Sequence, residues 1–188
     1  MRRLLLSLLL LTAALPVRAD DMTGPRAAVR DAVIDARDKI LDLAKAMPEE
    51  KYAWRPGEGV RSAGEVYRHV AQANYLLPGF LGIKAPEGIV LKDMDVTPLD
   101  KAKTIALVEQ SFAFALDAIA KTPDAALSDS TKFFGQPTTK MDVLMAFATH
   151  AHEHLGQSIA YARSNKITPP WTARAEAAAA EKKAKAKS

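Results

Sequence analysis

Apolar residues recur at helical spacing along four long segments of this chain, and this pattern constrains the fold more than any other feature. In the third segment the stripe consists of Ile105, Val108, Phe112, Leu116 and Ile119. Residues three or four apart lie on one face of an α-helix, so each stripe can be buried against a partner helix. Alternating runs of β-branched residues are nearly absent, which disfavours strands. The sequence therefore predicts an all-α fold, a four-helix bundle with short irregular connections.

Capping residues, prolines and glycines indicate where these helices begin and end. Ser62 with Glu65, and Thr139 with Asp142, have the spacing of capping boxes, in which each side chain satisfies a free backbone N–H. Thr97 is the expected N-cap of the third helix, followed by a proline. We expect helices over 25–46, 62–78, 97–121 and 139–164, and irregular connections at 82–96 and 123–137.

The first 19 residues have the features of a signal peptide. Arg2 and Arg3 precede an apolar run at 4–15, and Val17 and Ala19 are small residues at the −3 and −1 positions of a cleavage site. The run has about a dozen residues, whereas a membrane-spanning helix needs about 20. We expect cleavage after Ala19 and a periplasmic or secreted protein. The chain has no cysteine, so its stability has to come from core packing and not from disulfides.

Basic residues are concentrated at the two ends of the chain, so the body between them is neutral. Eight of the 26 lysines and arginines and four of the 22 acidic residues lie outside 22–171, which leaves 18 of each inside. Nucleic-acid-binding surfaces carry a clustered basic excess, so we expect no nucleic-acid partner. The Ala- and Lys-rich tail at 172–188 is expected to be a flexible, solvated extension of the bundle domain at 22–171. The alternative for the tail is electrostatic contact with anionic envelope surfaces.

Three of the four histidines lie within five residues of each other on the fourth predicted helix. His150 and His154 are one helical turn apart and share a face, while His152 points roughly opposite, towards the surface. Such an i,i+4 pair can hold a divalent transition metal. A pair of hydrogen-bonded core histidines is the alternative. An H-E-x-x-H metalloprotease is excluded, because Gly156 stands where the second histidine of that motif belongs.

His69, on the second predicted helix, is the remaining histidine of the chain. It is either a third metal ligand or an independent, half-buried histidine. Gln157 lies one turn beyond His154 and is our only candidate for a catalytic residue, through a hydrogen bond to a metal-bound water. Glu65 and Glu153 are expected to be solvated or capping residues, with hydrogen bonding to a ligand imidazole as the alternative.

Taken together, these residues resemble the DinB/YfiT-like superfamily. The resemblance spans most of 25–170 and rests on four motifs: His150-x-x-x-His154-x-Gly156-Gln157, Trp54-Arg55-Pro56, Arg61-Ser62-x-Gly64-Glu65-x-x-x-His69 and Pro169-Pro170. Members are four-helix bundles, typically dimeric, with a divalent metal on three histidines. The resemblance therefore implies a homodimer and a Zn, Ni, Fe or Mn ion held by His69, His150 and His154.

The resemblance also implies a range of activities. Members include enzymes of thiol-dependent S-transfer and isomerisation, as well as proteins without a known reaction. Our hypothesis is an exported three-histidine metalloprotein that acts on a small thiol or another small molecule, as an S-transferase or as a metal-assisted hydrolase. The alternative is a non-catalytic metal-binding or interaction protein. Most members carry an arginine where this chain has Leu155, so we expect the rim of the site to differ.

Overall fold

The computed structural model describes residues 22–186, so the predicted signal peptide and its cleavage site lie outside the described residues. The elements, in chain order, are α1 Gly24–Ala46, α2 Ala63–Leu76, α3 Lys101–Lys121, β1 Ser130–Phe133, β2 Gln136–Thr139, α4 Lys140–Ser164 and α5 Pro170–Lys185. Helix α1 packs against α3 and α4, and α2 packs against the same two helices. The predicted four-helix bundle is confirmed. None of the described helices has both the length and the apolar character that crossing a bilayer requires.

The bundle core is formed by the predicted apolar stripes. The apolar residues at helical spacing along α1 are all buried, as is Met47 directly after the helix: Val29, Val33, Ala36, Ile40 and Leu43. The largest fully buried side chains of the other helices include Val66, Tyr67 and Val70 on α2, Val108, Phe112 and Ile119 on α3, and Leu144 and Phe147 on α4. Complete burial of an aliphatic or phenylalanine side chain contributes about 1.5–3 kcal/mol, so the stripes hold the four helices together without any disulfide.

Both predicted capping boxes are present. The Ser62 hydroxyl accepts from the Glu65 N–H at 3.3 Å, and the Glu65 carboxylate accepts from the Ser62 N–H at 2.7 Å. Thr139 and Asp142 make the equivalent pair at 3.2 and 3.0 Å. These boxes fix the first turns of α2 and α4, the two helices that carry the histidines.

The third helix begins later than predicted, and Thr97 is not its N-cap. The Asp100 carboxylate caps α3 by accepting from the Lys103 N–H at 2.7 Å. The Thr97 hydroxyl instead donates to the Asp93 carbonyl at 2.7 Å and closes the preceding turn. Thr97 and Asp100 are both residue types that cap helices, and the Asp100 carboxylate is the one that accepts a backbone N–H of α3.

The connection between α3 and α4 contains a β-hairpin, where the sequence predicts an irregular segment. Strands β1 and β2 pair antiparallel with Phe133 opposite Gln136, which leaves Phe134 and Gly135 as a two-residue turn. Both turn residues have positive φ, 47° and 84°. This is the pattern of a type I′ turn, which is usually Asn-Gly or Asp-Gly. Because phenylalanine replaces the usual asparagine or aspartate at the first turn position, and because each strand is only four residues long, the sequence does not indicate a hairpin here.

The chain forms a further helix after Pro169. Proline at the first position of a helix loses no hydrogen bond, so Pro170 opens α5 after α4 has ended. Trp171 packs against the core, whereas the side chains from Ala173 to Ala186 are exposed. Arg174 pairs with Asp42 of α1 at 2.9 Å. The exposure agrees with the predicted solvated tail, while its flexibility and its contact with the cell envelope stay predictions.

Candidate metal centre

Helices α2 and α4 bring three histidines to one place in the bundle. His69 lies on α2, His150 and His154 lie one turn apart on α4, and one ring nitrogen of each lies within 4.8 Å of those of the other two. The Nε2 atoms of His69 and His150 lie 3.3 Å apart. His154 is buried, with 7% of its surface exposed, and the other two are half-buried. The three histidines named from the sequence therefore form a single cluster.

The geometry and chemistry of the cluster fit a divalent transition metal. Two nitrogens bound to one tetrahedral ion at about 2.0–2.1 Å lie about 3.3–3.4 Å apart, which matches the His69–His150 separation. Three imidazoles suit Zn, Ni, Fe or Mn, and this donor set does not select among them. An ion there would be held by His69, His150 and His154.

Two glutamines fix the orientation of two of the imidazoles. His69 Nδ1 donates to the Gln72 side-chain oxygen at 3.2 Å, and His154 Nδ1 donates to the Gln157 side-chain oxygen at 2.8 Å. Each glutamine lies three residues after its histidine. With Nδ1 protonated, Nε2 keeps its lone pair and faces the cluster. The arrangement of a ligand histidine and a hydrogen-bond acceptor behind it is common at metal sites.

Gln157 makes hydrogen bonds through both ends of its amide, while its contact with a metal-bound water stays a prediction. Its amide oxygen accepts from His154, and its amide nitrogen donates to the Tyr161 hydroxyl at 2.9 Å. That hydroxyl in turn donates to the Arg61 carbonyl at 3.0 Å. Trp54 packs edge-on against the Tyr161 ring, with the centroids 5.2 Å apart. Gln157 therefore positions His154 and links α4 to the segment that precedes α2.

The surroundings of His69 and His150 favour the neutral form of these two imidazoles. Burial is the largest cause that lowers the pKa of His150, to about 3, and the neighbouring His154, His69 and Arg61 lower it further. Burial, Arg61 and His154 likewise lower the pKa of His69. A metal binds the neutral form of imidazole, so the environment that disfavours protonation also keeps the ligands ready.

Asp95 is a further neighbour of the cluster that sequence reasoning missed. Its carboxylate pairs with Arg61 at 3.0 Å and lies 3.9 Å from His69 Nδ1. The buried Arg68 donates to the Asp95 carbonyl at 3.0 Å and holds this part of the chain against α2. Asp95 lies in an irregular connection without a motif, so no sequence signal could have placed it here. Gln72 was also missed, although it repeats the His-x-x-Gln spacing of His154 and Gln157.

The other residues considered from the sequence lie outside the cluster. His152 is exposed, as expected, and its Nδ1 donates to the Ala148 carbonyl at 2.9 Å. Glu65 serves the capping box and pairs with Arg55 at 2.9 Å. Leu155 is 6% exposed and belongs to the hydrophobic core, so it does not form the rim of the site.

A cavity of about 290 Å³ opens directly beside the cluster. His69 and His150 form part of its wall, together with Gln72, Thr149 and Glu153. The rest of the lining is apolar: Ala73, Leu76, Leu77, Phe133, Phe134 and Ala146. The two phenylalanines come from the hairpin, so this wall could not be foreseen without the hairpin itself. A small molecule in the cavity would lie against two of the three histidines.

Comparison with known proteins places the chain in a family. Residues 32–158 match the sequence model of the DinB superfamily. A solved DinB-like protein from Bacillus cereus has a TM-score of 0.66 and 17% identity, over 77% of this chain and 95% of that one. A solved DinB-like protein from Bacillus subtilis has a TM-score of 0.60 and 19% identity, over 75% of this chain and 93% of that one. A search of curated proteins found no match. On the family match, which covers most of the bundle, this chain belongs to the DinB superfamily.

Proposed function

We propose that this protein is an exported, metal-dependent enzyme that transfers a small thiol to an electrophilic small molecule. The observation that carries the proposal is the position of the three imidazoles beside an apolar cavity that His69 and His150 help to line. A core histidine pair would need no such cavity. Ligand sites in helical bundles are built in this way, from side chains on facing helices.

A divalent ion bound at His69, His150 and His154 would lower the pKa of a thiol or a water in its open position and supply a nucleophile near neutral pH. The protein's part is to place and shield the reactants. Gln72 and Gln157 hold two imidazoles with Nε2 facing inward. The apolar wall of the cavity binds the apolar part of the thiol and excludes water, which strengthens the electrostatic interactions inside.

The bonds and protons of the proposed transfer balance within these groups. The thiolate sulfur forms a bond to the electrophilic carbon, and the bond from that carbon to the leaving group breaks. The leaving group departs with the electron pair. The proton lost by the thiol passes to solvent or to the Glu153 carboxylate, which lines the cavity, and neutralises the leaving group. Hydrolysis would use water in place of the thiol at the same site.

The second candidate function is a metal-binding or interaction protein without catalysis. One observation favours it: Gln157, our candidate for contact with a metal-bound water, has both amide groups engaged by His154 and Tyr161. A site whose polar neighbours only orient the ligands can hold an ion without activating a substrate. The two functions share the ion and differ in whether a small molecule reaches it.

The test combines metal analysis with a thiol-conjugation screen on protein isolated from the periplasm. We expect about one divalent ion per chain, mature protein beginning at Asp20, and conjugation of small thiols to chlorodinitrobenzene-type electrophiles. The His154→Ala variant should lose both the ion and the conjugation, and the exposed His152→Ala variant should keep both. A stoichiometric ion without thiol transfer or ester hydrolysis would support the non-catalytic function, and protein without any ion would contradict both the enzyme and a metal-binding role.

We also propose that the mature chain is a homodimer. Support comes from the family, whose resemblance implies dimers, and from the balanced charge of the body, which gives little long-range repulsion between copies. Contact of the basic tail with anionic envelope surfaces is a separate proposal. Its support is the exposed row of lysines at the end of α5.

A further inference from the structure

Phe134, at the tip of the hairpin, is an unfavourable residue for its place in the fold. It has φ 47°, in the left-handed region, and 65% of its surface is exposed. A left-handed backbone conformation is unfavourable for any residue that carries a Cβ atom. Asparagine or aspartate would fit the first position of this type I′ turn better, next to Gly135. The preference of the turn therefore does not account for the phenylalanine, and strain of this kind often accompanies function.

The ring of Phe134 belongs to an aromatic wall, formed with Phe80 and Phe133. The three ring centroids lie 4.7–4.9 Å apart in tilted and edge-on arrangements. Thr131 anchors the hairpin to the end of the segment after α2 by donating to the Phe80 carbonyl at 2.8 Å. The aromatic wall is thus fixed at one side of the cavity that reaches the histidine cluster.

We propose that this cavity binds an aromatic or similarly flat apolar group of the substrate, and that Phe134 determines this specificity. The proposal rests on the proposed function, because the polar end of the same molecule would reach the ion at His69 and His150. At about 290 Å³ the cavity matches the lower end of small-molecule sites, about 300 Å³, and admits one small molecule. Aromatic rings prefer the tilted and edge-on contacts that the aromatic wall offers.

The test uses the Phe134→Asn variant of the full mature chain. In the metal-free protein, the free energy of unfolding should change little, because the better fit of asparagine to the turn offsets the lost ring contacts with Phe80 and Phe133. In the Co²⁺-loaded protein, two thiols, benzyl mercaptan and 2-mercaptoethanol, are titrated while the visible spectrum is recorded. We expect the wild type to bind benzyl mercaptan at least about tenfold more tightly than 2-mercaptoethanol. The variant should lose most of that preference and keep its affinity for 2-mercaptoethanol.

Val90→Asn is the matched control, because it removes another exposed apolar side chain, 70% exposed, that does not line this cavity. It should keep the preference for benzyl mercaptan. A Phe134→Asn variant with an unchanged preference would overturn the inference. So would a variant that changes from dimer to monomer in light scattering, because the ring would then belong to an interface.

A metal-independent measurement separates this inference from the proposed function. Saturation-transfer NMR of the metal-free protein with indole should detect binding that Phe134→Asn weakens and Val90→Asn does not. If thiols leave the Co²⁺ spectrum unchanged while indole binds in this pattern, the thiol reaction is wrong and the cavity assignment stands. If indole binds all three proteins equally or none of them, the cavity assignment is wrong.

Discussion

Replacing Gln157 by leucine should weaken metal binding without removing a ligand. The Gln157 side chain accepts from His154 Nδ1 at 2.8 Å and donates to the Tyr161 hydroxyl at 2.9 Å. Leucine fills a similar volume and makes neither hydrogen bond. Because His154 is only 7% exposed, water has poor access to the Nδ1–H that is left without an acceptor. Loss of such a partner lowers metal affinity about 10–100-fold, which is about 1.4–2.7 kcal/mol.

Gln72→Leu is the matched variant on the other helix. Gln72 accepts from His69 Nδ1 at 3.2 Å, a longer bond, and the His69 side chain is 21% exposed. Water can replace the lost acceptor more readily there, and the carboxylate of Asp95 lies 3.9 Å from the same nitrogen. We therefore expect a smaller loss of affinity for Gln72→Leu, near the lower end of the range.

The assay is competition for Zn²⁺ or Co²⁺ with a chromophoric chelator at fixed pH, with circular dichroism to verify that each variant is folded. From highest to lowest metal affinity, we expect the wild type, then Gln72→Leu, then Gln157→Leu. The His154→Ala variant should retain no stoichiometric metal binding. An affinity of Gln157→Leu equal to that of the wild type would refute the positioning role. A larger loss for Gln72→Leu would refute the argument from burial.

Further predictions concern the ligand set, the pH response and assembly. His69→Ala and His150→Ala should each abolish stoichiometric metal binding, and His152→Ala should leave it intact by elemental analysis; the reverse pattern for His69 and His152 would contradict the ligand assignment. Because the pKa of His150 is lowered to about 3 in the folded chain, the unfolded chain binds more protons between pH 6.5 and about 3, and stability falls as the pH falls through this range. In urea unfolding of the metal-free protein, His150 should account for a loss of up to about 2 kcal/mol in the free energy of unfolding by pH 5. The free energy of unfolding of His150→Gln should fall less over the same pH range, and an equal fall in both proteins would contradict the argument. Light scattering at about 0.15 M salt should give twice the mass of the mature chain, and a monomer at all micromolar concentrations would contradict the proposed dimer.

Features set by neighbouring residues could be predicted from the sequence. The two capping boxes, the buried stripe of α1 and the shared face of His150 and His154 follow from spacing along one helix. The place of His69 beside them depends on how α2 packs against α4, and spacing within one helix cannot determine that. The residues alone left His69 as either a third ligand or an independent histidine, the family resemblance favoured the ligand, and the structure places its Nε2 atom 3.3 Å from that of His150.

Features that depend on unusual residues or distant contacts could not be predicted. The hairpin has a phenylalanine where its turn type normally has asparagine or aspartate, so local preference argued against it. Asp95 lies in an irregular connection and reaches the cluster only through its pairing with Arg61 and the anchoring by Arg68. The cavity wall was missed together with the hairpin. These residues surround the site, where local rules are most often broken for function.

The position of the cluster couples metal binding to the packing of α2 against α4. His69 comes from one helix and His150 and His154 from the other, so the complete ligand set exists only in the folded chain. An ion that binds only the folded chain stabilises it by about 2.7 kcal/mol at a hundredfold excess over Kd. The core lies along stripes of all four helices and does not depend on the ion. The difference in stability between metal-loaded and metal-free protein therefore measures the site alone, and it separates a variant with a damaged site from one with a damaged core.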